Sequence, residues 1–311
     1  MPFDDPRPSA DSIVGERIAT GHSPVLVMID CRNGTYTLVD ADAPQLRVND
    51  LAATRGDGVF EAMLASDGVL RKPEAHLRRL AASAAAAELV APAAQVWLEA
   101  IATALRAHHA CAETLVKLVL SRGPEGGDAC TAWVYASDCS GQYDVARRQG
   151  IDALLLERGY DAMLGARAPW LLLGAKTLSY AVNMAALRHA RSQGADDVVF
   201  VSADGRILEG PTSSVIVAKR SDEGVVLLSP PPDCGILPGT TQAVLFEVAR
   251  HRGWRTEQTL LTPEDLHTAD GVWLASSIRL LAPVNRLGGR ALTRSPALDK
   301  ALFELLDIPP A

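Results

Sequence analysis

Apolar and polar residues follow two different periods along the chain, and the period separates predicted strands from predicted helices. In the first half, short runs of alternating or continuous apolar residues predict strands, and longer runs with apolar residues three and four apart predict helices. Asn33-Gly34 lies between the first two strand runs and is typical of a hairpin turn. The predicted strands are residues 25–29, 35–39, 59–64, 114–121 and 131–136, and the predicted helices are residues 72–89 and 92–109.

The second half mixes the same two patterns. A helical pattern follows Lys176 and ends at Gly194, where a residue with positive φ is expected. Residues 197–201 and 206–208 are β-rich, and the Asp-Gly pair between them predicts a hairpin. Further strands are predicted at 151–157, 215–218, 225–229 and 271–275, with a helix opening at Thr240 and another over 297–306. This mixture predicts the α+β class, with helices and strands interspersed as in α/β chains.

The length of the chain, 311 residues, predicts two domains rather than one. Residues 137–150 (SDCSGQYDVARRQG) are polar and aperiodic, so we expect them to form the linker. A smaller N-terminal α/β domain would then cover residues 1–136, and a larger, β-rich C-terminal domain with flanking helices would cover 151–311. Residues 1–22 have little periodicity and predict a loosely attached arm.

Composition excludes several classes of function. The net charge is −7 and the charges are mixed, so nucleic acid is not an expected partner. The longest apolar runs are too short to span a bilayer, and the first residues do not have the pattern of a signal peptide. The five cysteines include no C-x-x-C pair, which argues against a disulfide framework or zinc site and favours the cytoplasm. We expect no metal at His108-His109 either, because adjacent residues point to different helix faces and no third ligand is close in sequence.

Most of the residues with distinctive chemistry lie between Lys176 and residues 212–214. The order is a lysine, a helix, a hairpin, Glu209 and a cluster of small hydroxyl residues. A lysine with a lowered pKa attacks carbonyls, a carboxylate can keep a heterocyclic nitrogen protonated, and hydroxyls can bind an anion. Residues 239–241 add a Gly-Thr-Thr sequence at a predicted helix N-terminus, which offers free N–H groups to an anion or is simply a capped helix start. Together these groups are what pyridoxal 5′-phosphate (PLP) requires.

Four motifs resemble those of one enzyme family. They are residues 55–61 (RGDGVFE), 76–80 (HLRRL), 176–180 (KTLSY, with Glu209 following Lys176 by 209 − 176 = 33 residues) and 235–241 (GILPGTT). In this order they resemble the class IV, or fold type IV, PLP-dependent family. That family contains branched-chain aminotransferases, D-amino-acid aminotransferases and 4-amino-4-deoxychorismate lyase. The resemblance covers most of the chain and implies a two-domain fold type IV enzyme with PLP as its cofactor.

The resemblance implies a role for each matching residue. Lys176 would bind PLP as a Schiff base and act as general base once it is freed, and Glu209 would pair with the pyridine nitrogen. Tyr180 would help to orient the cofactor's phenolic oxygen. The remaining residues that would bind the cofactor, chiefly its phosphate, are Arg79, Gly239, Thr240, Thr241, Ser213 and Ser214.

Two neighbours of Arg79 are expected to act differently from it. The arginine would turn inward to the phosphate, whereas Arg78 would be solvated, and His76 would support the structure rather than catalysis. On the substrate side, the resemblance implies that Phe60 and Ala62 line the pocket. Arg279 is either a ligand for the substrate carboxylate or an exposed loop arginine, and the sequence leaves both open.

Two reactions are compatible with these residues. A lyase would form 4-aminobenzoate and pyruvate from aminodeoxychorismate, whereas an aminotransferase would act on D-amino acids or branched-chain amino acids with 2-oxoglutarate. Residues 55–61 and 176–180 are more similar to the lyases, so we predict a lyase, although some lyases carry a threonine where this chain has Ala62. A protein that binds PLP without catalysis is disfavoured because Lys176 and Glu209 are both present. The family also implies a homodimer that acts on a small amine.

Overall fold

The computed structural model of the protein describes residues 23–222 and 224–308, so the predicted arm at residues 1–22 lies outside the described residues. The strands are β1 (Val25–Asp30), β2 (Thr35–Val39), β3 (Gly58–Ser66), β4 (Val69–Leu70), β5 (Glu113–Ser121), β6 (Thr131–Asp138), β7 (Ile151–Glu157), β8 (Asp197–Val201), β9 (Ser214–Ser221), β10 (Gly224–Ser229), β11 (Arg255–Gln258), β12 (Gly271–Ser276), β13 (Leu280–Leu287) and β14 (Arg290–Ala291). The helices are α1 (Leu51–Arg55), α2 (Pro73–Ala86), α3 (Ala94–Ala107), α4 (Asp144–Gln149), α5 (Ala181–Ser192), α6 (Thr240–His251), α7 (Pro263–His267) and α8 (Pro296–Leu305).

The first half of the chain forms an antiparallel sheet of six strands in the order β2-β1-β6-β5-β3-β4. Its apolar face is covered by α2 and α3, whose buried residues include Leu80 and Trp97. Strand β3 pairs with β5 over its whole length, and Ala62 lies opposite Lys117 in that register. The register matters for function, because side chains two apart on these strands share one face of the sheet.

The second half forms a mixed sheet in the order β11-β10-β9-β12-β13-β7-β8, with β14 beside β13. Helices α6 and α8 pack on one face through Leu245 and Leu302, and α5 packs near β8 through Ala190. Three of the strand pairs are parallel and the others are antiparallel. The predicted α+β class is therefore confirmed. The division into domains at 136 and 151 stays a prediction. The last strand of the first sheet, β6, ends at Asp138, and the first strand of the second sheet, β7, begins at Ile151.

Three predicted elements differ from the structure. Residues 206–208 were expected to be a strand, but they form only an isolated bridge between Ile207 and Val201, because Ile207 N donates to Leu261 O outside the hairpin. The helix after Lys176 starts only at Ala181, since the residues before it bond to β3 instead. The predicted linker contains the end of β6 and the helix α4.

Candidate active site

A cavity of about 560 Å³ lies between the two sheets and draws its walls from both. Its size suits a cofactor with a small substrate. All twelve residues that the sequence singled out line this cavity: Phe60, Ala62, Arg79, Lys176, Tyr180, Ser213, Ser214, Glu209, Gly239, Thr240, Thr241 and Arg279. Their roles stay predictions, but the structure brings them to one place.

Strand β3 fixes the backbone of Lys176. Phe60 N donates a hydrogen bond of 2.9 Å to Lys176 O, and Leu178 N donates one of 2.8 Å to Gly58 O. From the helical side, Ser83 Oγ accepts a 3.0 Å hydrogen bond from Lys176 N. The lysine backbone is therefore held between β3 and α2, and its side chain enters the cavity.

The amine of Lys176 lies over aromatic rings and away from bulk water. Its Nζ is 4.2 Å from the ring centre of Phe60 and 5.4 Å from that of Tyr180. Burial lowers the pKa of Lys176 to about 8, and the positive charge of Arg79 adds to this, while Glu61 and Glu209 oppose it. A lysine with such a pKa has a substantial neutral fraction near neutral pH, which a nucleophile toward a carbonyl requires.

Glu209 lies in the same cavity with a different electrostatic environment. Burial raises the pKa of Glu209 to about 7, although Leu237 N donates a 3.2 Å hydrogen bond to its Oε2 and lowers it. A carboxyl group with this pKa can hold or share a proton near neutral pH. It is therefore suited to pairing with a basic ring nitrogen.

Arg79 points into the protein and belongs to a buried ionic network with Glu61 and His76. Its Nε and Nη2 donate hydrogen bonds of 2.6 and 3.0 Å to Glu61, and its Nη1 donates one of 2.8 Å to Pro238 O. His76 Nδ1 lies 2.8 Å from Glu61 Oε2. Burial alone would raise the pKa of Glu61, but the hydrogen bonds from His76 and Arg79 lower it to about 2. As predicted, Arg78 is exposed. His76 is buried beside Glu61, and its structural role stays a prediction.

Residues 213, 214 and 239–241 line the cavity together with Arg79, and we call them the anion cup because the resemblance places the cofactor phosphate there. Gly239 is the N-cap of α6 and makes no side-chain capping hydrogen bond. Within the described part of the chain, the buried Oγ of Ser213 has no hydrogen-bond partner. A Cβ at Gly239 would lie 2.2 Å from Ser214 Oγ, so the glycine lets the Ser214 hydroxyl lie against the start of α6. An unpaired hydroxyl beside the positive end of a helix fits a phosphate group.

Tyr180 is fixed at the other edge of the cavity. Its hydroxyl donates a 2.5 Å hydrogen bond to Pro211 O, which also accepts one of 2.7 Å from Asn183 Nδ2. Arg158 Nη2 donates a 3.1 Å hydrogen bond to Asn183 Oδ1. Burial and the nearby Glu209 raise the pKa of Tyr180 to about 12, so the phenol stays protonated.

Arg279 is mostly buried, which excludes the exposed-loop alternative. Its side chain is 11% exposed, and Nη2 lies 2.8 Å from Asp197 Oδ2. Among the described residues, its Nε has no hydrogen-bond partner. Lys117 lines the same cavity across the β3–β5 pair from Ala62. Arg279 and Lys117 therefore border the same cavity as Phe60 and Ala62, the residues predicted to line the substrate side.

Several residues that line or support the cavity were missed at the sequence level. Glu61 is the last residue of the motif at 55–61, but the motif does not show that its carboxylate pairs with Arg79. Lys117 had a usable signal, since it is the one cation in the apolar run of residues 115–120. The other missed residues are Tyr143, Arg158, Tyr160 and Asn183.

The adjacent histidines His108 and His109 are closer to a third potential ligand than expected. Their nitrogens and Cys111 Sγ lie within 4.8 Å of one another, so the expectation that no third ligand lies nearby is wrong. Protein groups already contact all three: His108 Nδ1 approaches His109 O at 2.9 Å, His109 Nε2 approaches Asp138 at 3.3 Å, and Cys111 Sγ approaches Thr114 Oγ1 at 3.1 Å.

The family profile described as "Amino-transferase class IV" matches residues 58–287, and the chain belongs to this family. The cofactor of this family is PLP, as the sequence predicted. The chain is 48% identical over 269 residues to a "bifunctional aminodeoxychorismate lyase / D-amino acid transaminase" of Mycobacterium tuberculosis, covering 85% of this chain and 93% of the relative.

Solved structures agree with the family assignment. The PLP-bound form of a hypothetical aminotransferase from Mycobacterium tuberculosis is 44% identical, with a TM-score of 0.84 and coverage of 92% of this chain and 98% of that one. A fold IV transaminase from Curtobacterium pusillum is 40% identical, with a TM-score of 0.85 and coverage of 91% and 97%. Among the described residues, no helix has the length and apolar character needed to cross a membrane.

Proposed function

We propose that the protein is a PLP-dependent 4-amino-4-deoxychorismate lyase, which forms 4-aminobenzoate and pyruvate. The observation that carries the proposal is the Lys176 amine, with its pKa lowered to about 8, in one cavity with Glu209 and an anion cup. The relative whose name includes this lyase activity supports the choice of substrate. We place the enzyme in the cytoplasm, where 4-aminobenzoate would serve folate synthesis.

The residues on the phosphate side would hold the cofactor. Arg79 supplies a positive charge fixed by Glu61, while Thr240 and Thr241 supply hydroxyls and the first N–H groups of α6. The unpaired Ser213 hydroxyl and its neighbour Ser214 complete the cup.

The residues on the reacting side manage protons. PLP, when bound, supplies an electron sink that acidifies the carbon bearing the substrate amine. Lys176 would hold the cofactor through its aldehyde carbon, and its free amine would remove and return protons at the carbon that bears the substrate amine. Glu209, as the carboxylate, would keep the ring nitrogen protonated, and the positive charge of that nitrogen would in turn favour the ionised form of this buried group. Ala62 provides no hydroxyl, so Lys176 carries the proton transfers with water.

The substrate of the lyase carries two carboxylates, and the cavity offers two cations to meet them. Arg279 has an Nε without a partner among the described residues, and Lys117 faces the cavity opposite Ala62. The small side chain of Ala62 leaves room for a ring between these cations. We assign Arg279 and Lys117 to carboxylate binding and Phe60 to the wall above Lys176.

A D-amino-acid aminotransferase is the second candidate function. The same relative is named for both reactions, and a transaminase with 40% identity shares the fold. In both reactions Lys176 would remove a proton from the carbon that bears the substrate amine. The reactions differ in the next step, which eliminates pyruvate in the lyase and leads to release of a keto acid in the aminotransferase. Branched-chain amino acids remain alternative substrates.

One paired assay tests the proposal. The purified enzyme with PLP is incubated with aminodeoxychorismate, and 4-aminobenzoate and pyruvate are measured. In parallel, D-alanine or leucine is supplied with 2-oxoglutarate. We expect lyase turnover to be faster, and Lys176→Ala to abolish both reactions. Faster transamination would reverse the assignment, and turnover by the Lys176→Ala variant would contradict the mechanism.

A further inference from the structure

The turn between β12 and β13, residues 276–279, forms one wall of the cavity. The residue that follows the turn, Leu280, has an unfavourable backbone conformation. Ser276, Ser277, Ile278 and Arg279 all line the cavity. Leu280, which follows them, has φ of 63° and is 4% exposed. The left-handed region is costly for a residue with a Cβ, and such a conformation persists only where neighbours hold it.

Arg147 supplies hydrogen bonds that hold this turn. Its Nη2 donates a 2.9 Å hydrogen bond to Ile278 O, and its Nε donates one of 3.0 Å to Arg279 O. The planar guanidinium matches two successive carbonyls in a way that an ammonium group cannot. The side chain of Arg147 is 9% exposed, so water competes little for these bonds.

The same guanidinium anchors the turn to the first sheet. Arg147 Nη1 donates a 2.6 Å hydrogen bond to Oε1 of Glu113, which lies at the start of β5. Arg147 itself belongs to α4, between the two sheets. One buried side chain therefore links the first sheet, the connecting helix and the cavity wall.

We propose that Arg147 is a positioning residue for the substrate side of the active site, an inference that rests on the proposed function of the cavity. It fixes the turn so that Arg279 reaches Asp197 and borders the cavity, and so that Ser277 Oγ stays 3.1 Å from Thr240 Oγ1. Arg147 itself does not line the cavity. Loss of its hydrogen bonds therefore weakens substrate binding more than it weakens the chemical step.

Three variants of the full-length protein test this role. Arg147→Met removes all the hydrogen bonds but leaves Glu113 without its partner. Arg147→Lys keeps a positive charge near Glu113 but loses the pair of hydrogen bonds to the carbonyl oxygens of Ile278 and Arg279. Arg148→Met is the matched control, because Arg148 is its neighbour on α4, its side chain is 48% exposed, and its own ion pair is 3.9 Å long.

The first readout is amide hydrogen exchange of the peptide that covers residues 276–281, which needs no catalytic activity. We expect exchange there to rise about tenfold in Arg147→Lys and Arg147→Met, and not in Arg148→Met. The second readout is kinetic: KM for the substrate rises about tenfold, while kcat and the Kd for PLP change less than threefold. Wild-type exchange of this peptide in Arg147→Lys would overturn the proposal, as would an equal rise across both sheets.

Different results would contradict the proposed function and the positioning role of Arg147. If the wild type binds PLP but converts neither substrate, the proposed function is wrong, and the exchange experiment still decides whether Arg147 holds the turn. If the wild type is active and KM is unchanged in Arg147→Lys, the positioning role is wrong and the proposed function stands.

Discussion

Lys176 is the proposed catalytic residue, and its surroundings set the pH at which its amine becomes neutral. Burial lowers the pKa of Lys176 from 10.5 to about 8, so the neutral amine forms at a pH about 2.5 units lower than in a solvated lysine. We predict that the rate at which the apoenzyme captures PLP rises about tenfold per pH unit below pH 8 and then levels off. Stopped-flow absorbance between pH 6 and 10 measures this rate. A rate that still rises steeply above pH 9 would contradict the prediction.

Glu61 stabilises the folded protein through Arg79 and His76. Its folded pKa is lowered to about 2 from 4.5, so its stabilising contribution is complete above about pH 4.5 and is lost as the pH falls through about 2. We predict that Glu61→Gln lowers the free energy of unfolding at pH 7 by about 3 kcal/mol, because a buried arginine loses its ionic partner.

Urea unfolding at several pH values measures this loss. The difference between Glu61→Gln and wild type should shrink as the pH drops from about 4.5 toward 2. Glu99→Gln serves as a control, since Glu99 is exposed on α3 and contacts only Gln95 among the described hydrogen bonds. An equal loss in both variants, or a difference that does not depend on pH, would refute the role of Glu61.

At the residue scale, the sequence identified the groups with distinctive chemistry but not their pairing. Lys176 and Glu209 were recognisable because their residue types and spacing match a motif. Glu61 was not, because its function depends on α2 packing on β3, which puts Arg79 and His76 within 3 Å of its carboxylate. Such a contact joins residues 15 and 18 positions apart in different elements, and periodicity alone does not show it.

Strand β3 is the element that joins the cofactor side to the substrate side of the cavity. It contributes Phe60 and Ala62, and its first residue, Gly58, packs against β5 without a side chain. A Cβ at Gly58 would lie 2.6 Å from Leu120 O and 2.7 Å from Leu178 Cδ1. We predict that Gly58→Ala costs about 1–3 kcal/mol of stability and displaces the Lys176 segment, because overpacking moves backbone.

Thermal unfolding and PLP titration check this prediction together. Gly165→Ala is the matched control, since a Cβ there meets nothing closer than 3.7 Å. We expect Gly58→Ala to lower both the Tm and the PLP affinity and Gly165→Ala to leave both near wild type. Wild-type values for Gly58→Ala would show that β3 does not constrain Lys176.

At the element scale, the sequence predicted local structure well where one strong signal was present. Gly34, Gly194 and Gly205 all have positive φ at the turns and the helix end where they were expected. The helix α4 was missed because six residues with a mixed pattern carry little helical signal, and contacts of Arg147 with distant residues hold it in place. Residues 206–208 have the β-branched and apolar residues of a strand. They pair with β8 only through the bridge between Ile207 and Val201, and the chain then leaves the hairpin toward Glu209.

For the whole molecule, the resemblance to the family predicts a homodimer. Large apolar side chains are exposed next in sequence to residues of the cavity wall. Trp170 is 74% exposed and precedes Leu171, and Val182 is 61% exposed and comes two residues before Met184; Leu171 and Met184 border the cavity. Exposed apolar groups that cluster in this way are typical of an interface. We predict a particle of about 66 kDa, twice the chain mass of 33.0 kDa, by light scattering after gel filtration.

A charged substitution tests whether this surface forms the interface. Trp170→Glu should shift the enzyme toward the monomer, because a buried charge without a partner opposes association. Val69→Glu is the control, since Val69 is 69% exposed on β4 and, unlike Trp170, is not adjacent in sequence to a residue of the cavity wall. A monomeric wild type, or dimers that survive Trp170→Glu unchanged, would contradict the prediction.

The central claim is that one amine, Lys176, holds PLP within the cavity. Borohydride reduction of the yellow holoenzyme, followed by peptide mass mapping, tests it most directly. We predict that the reduced cofactor is found on Lys176 alone and that Lys176→Ala is neither yellow nor labelled. A label on another lysine, or a wild type that stays colourless after incubation with PLP, would contradict the account.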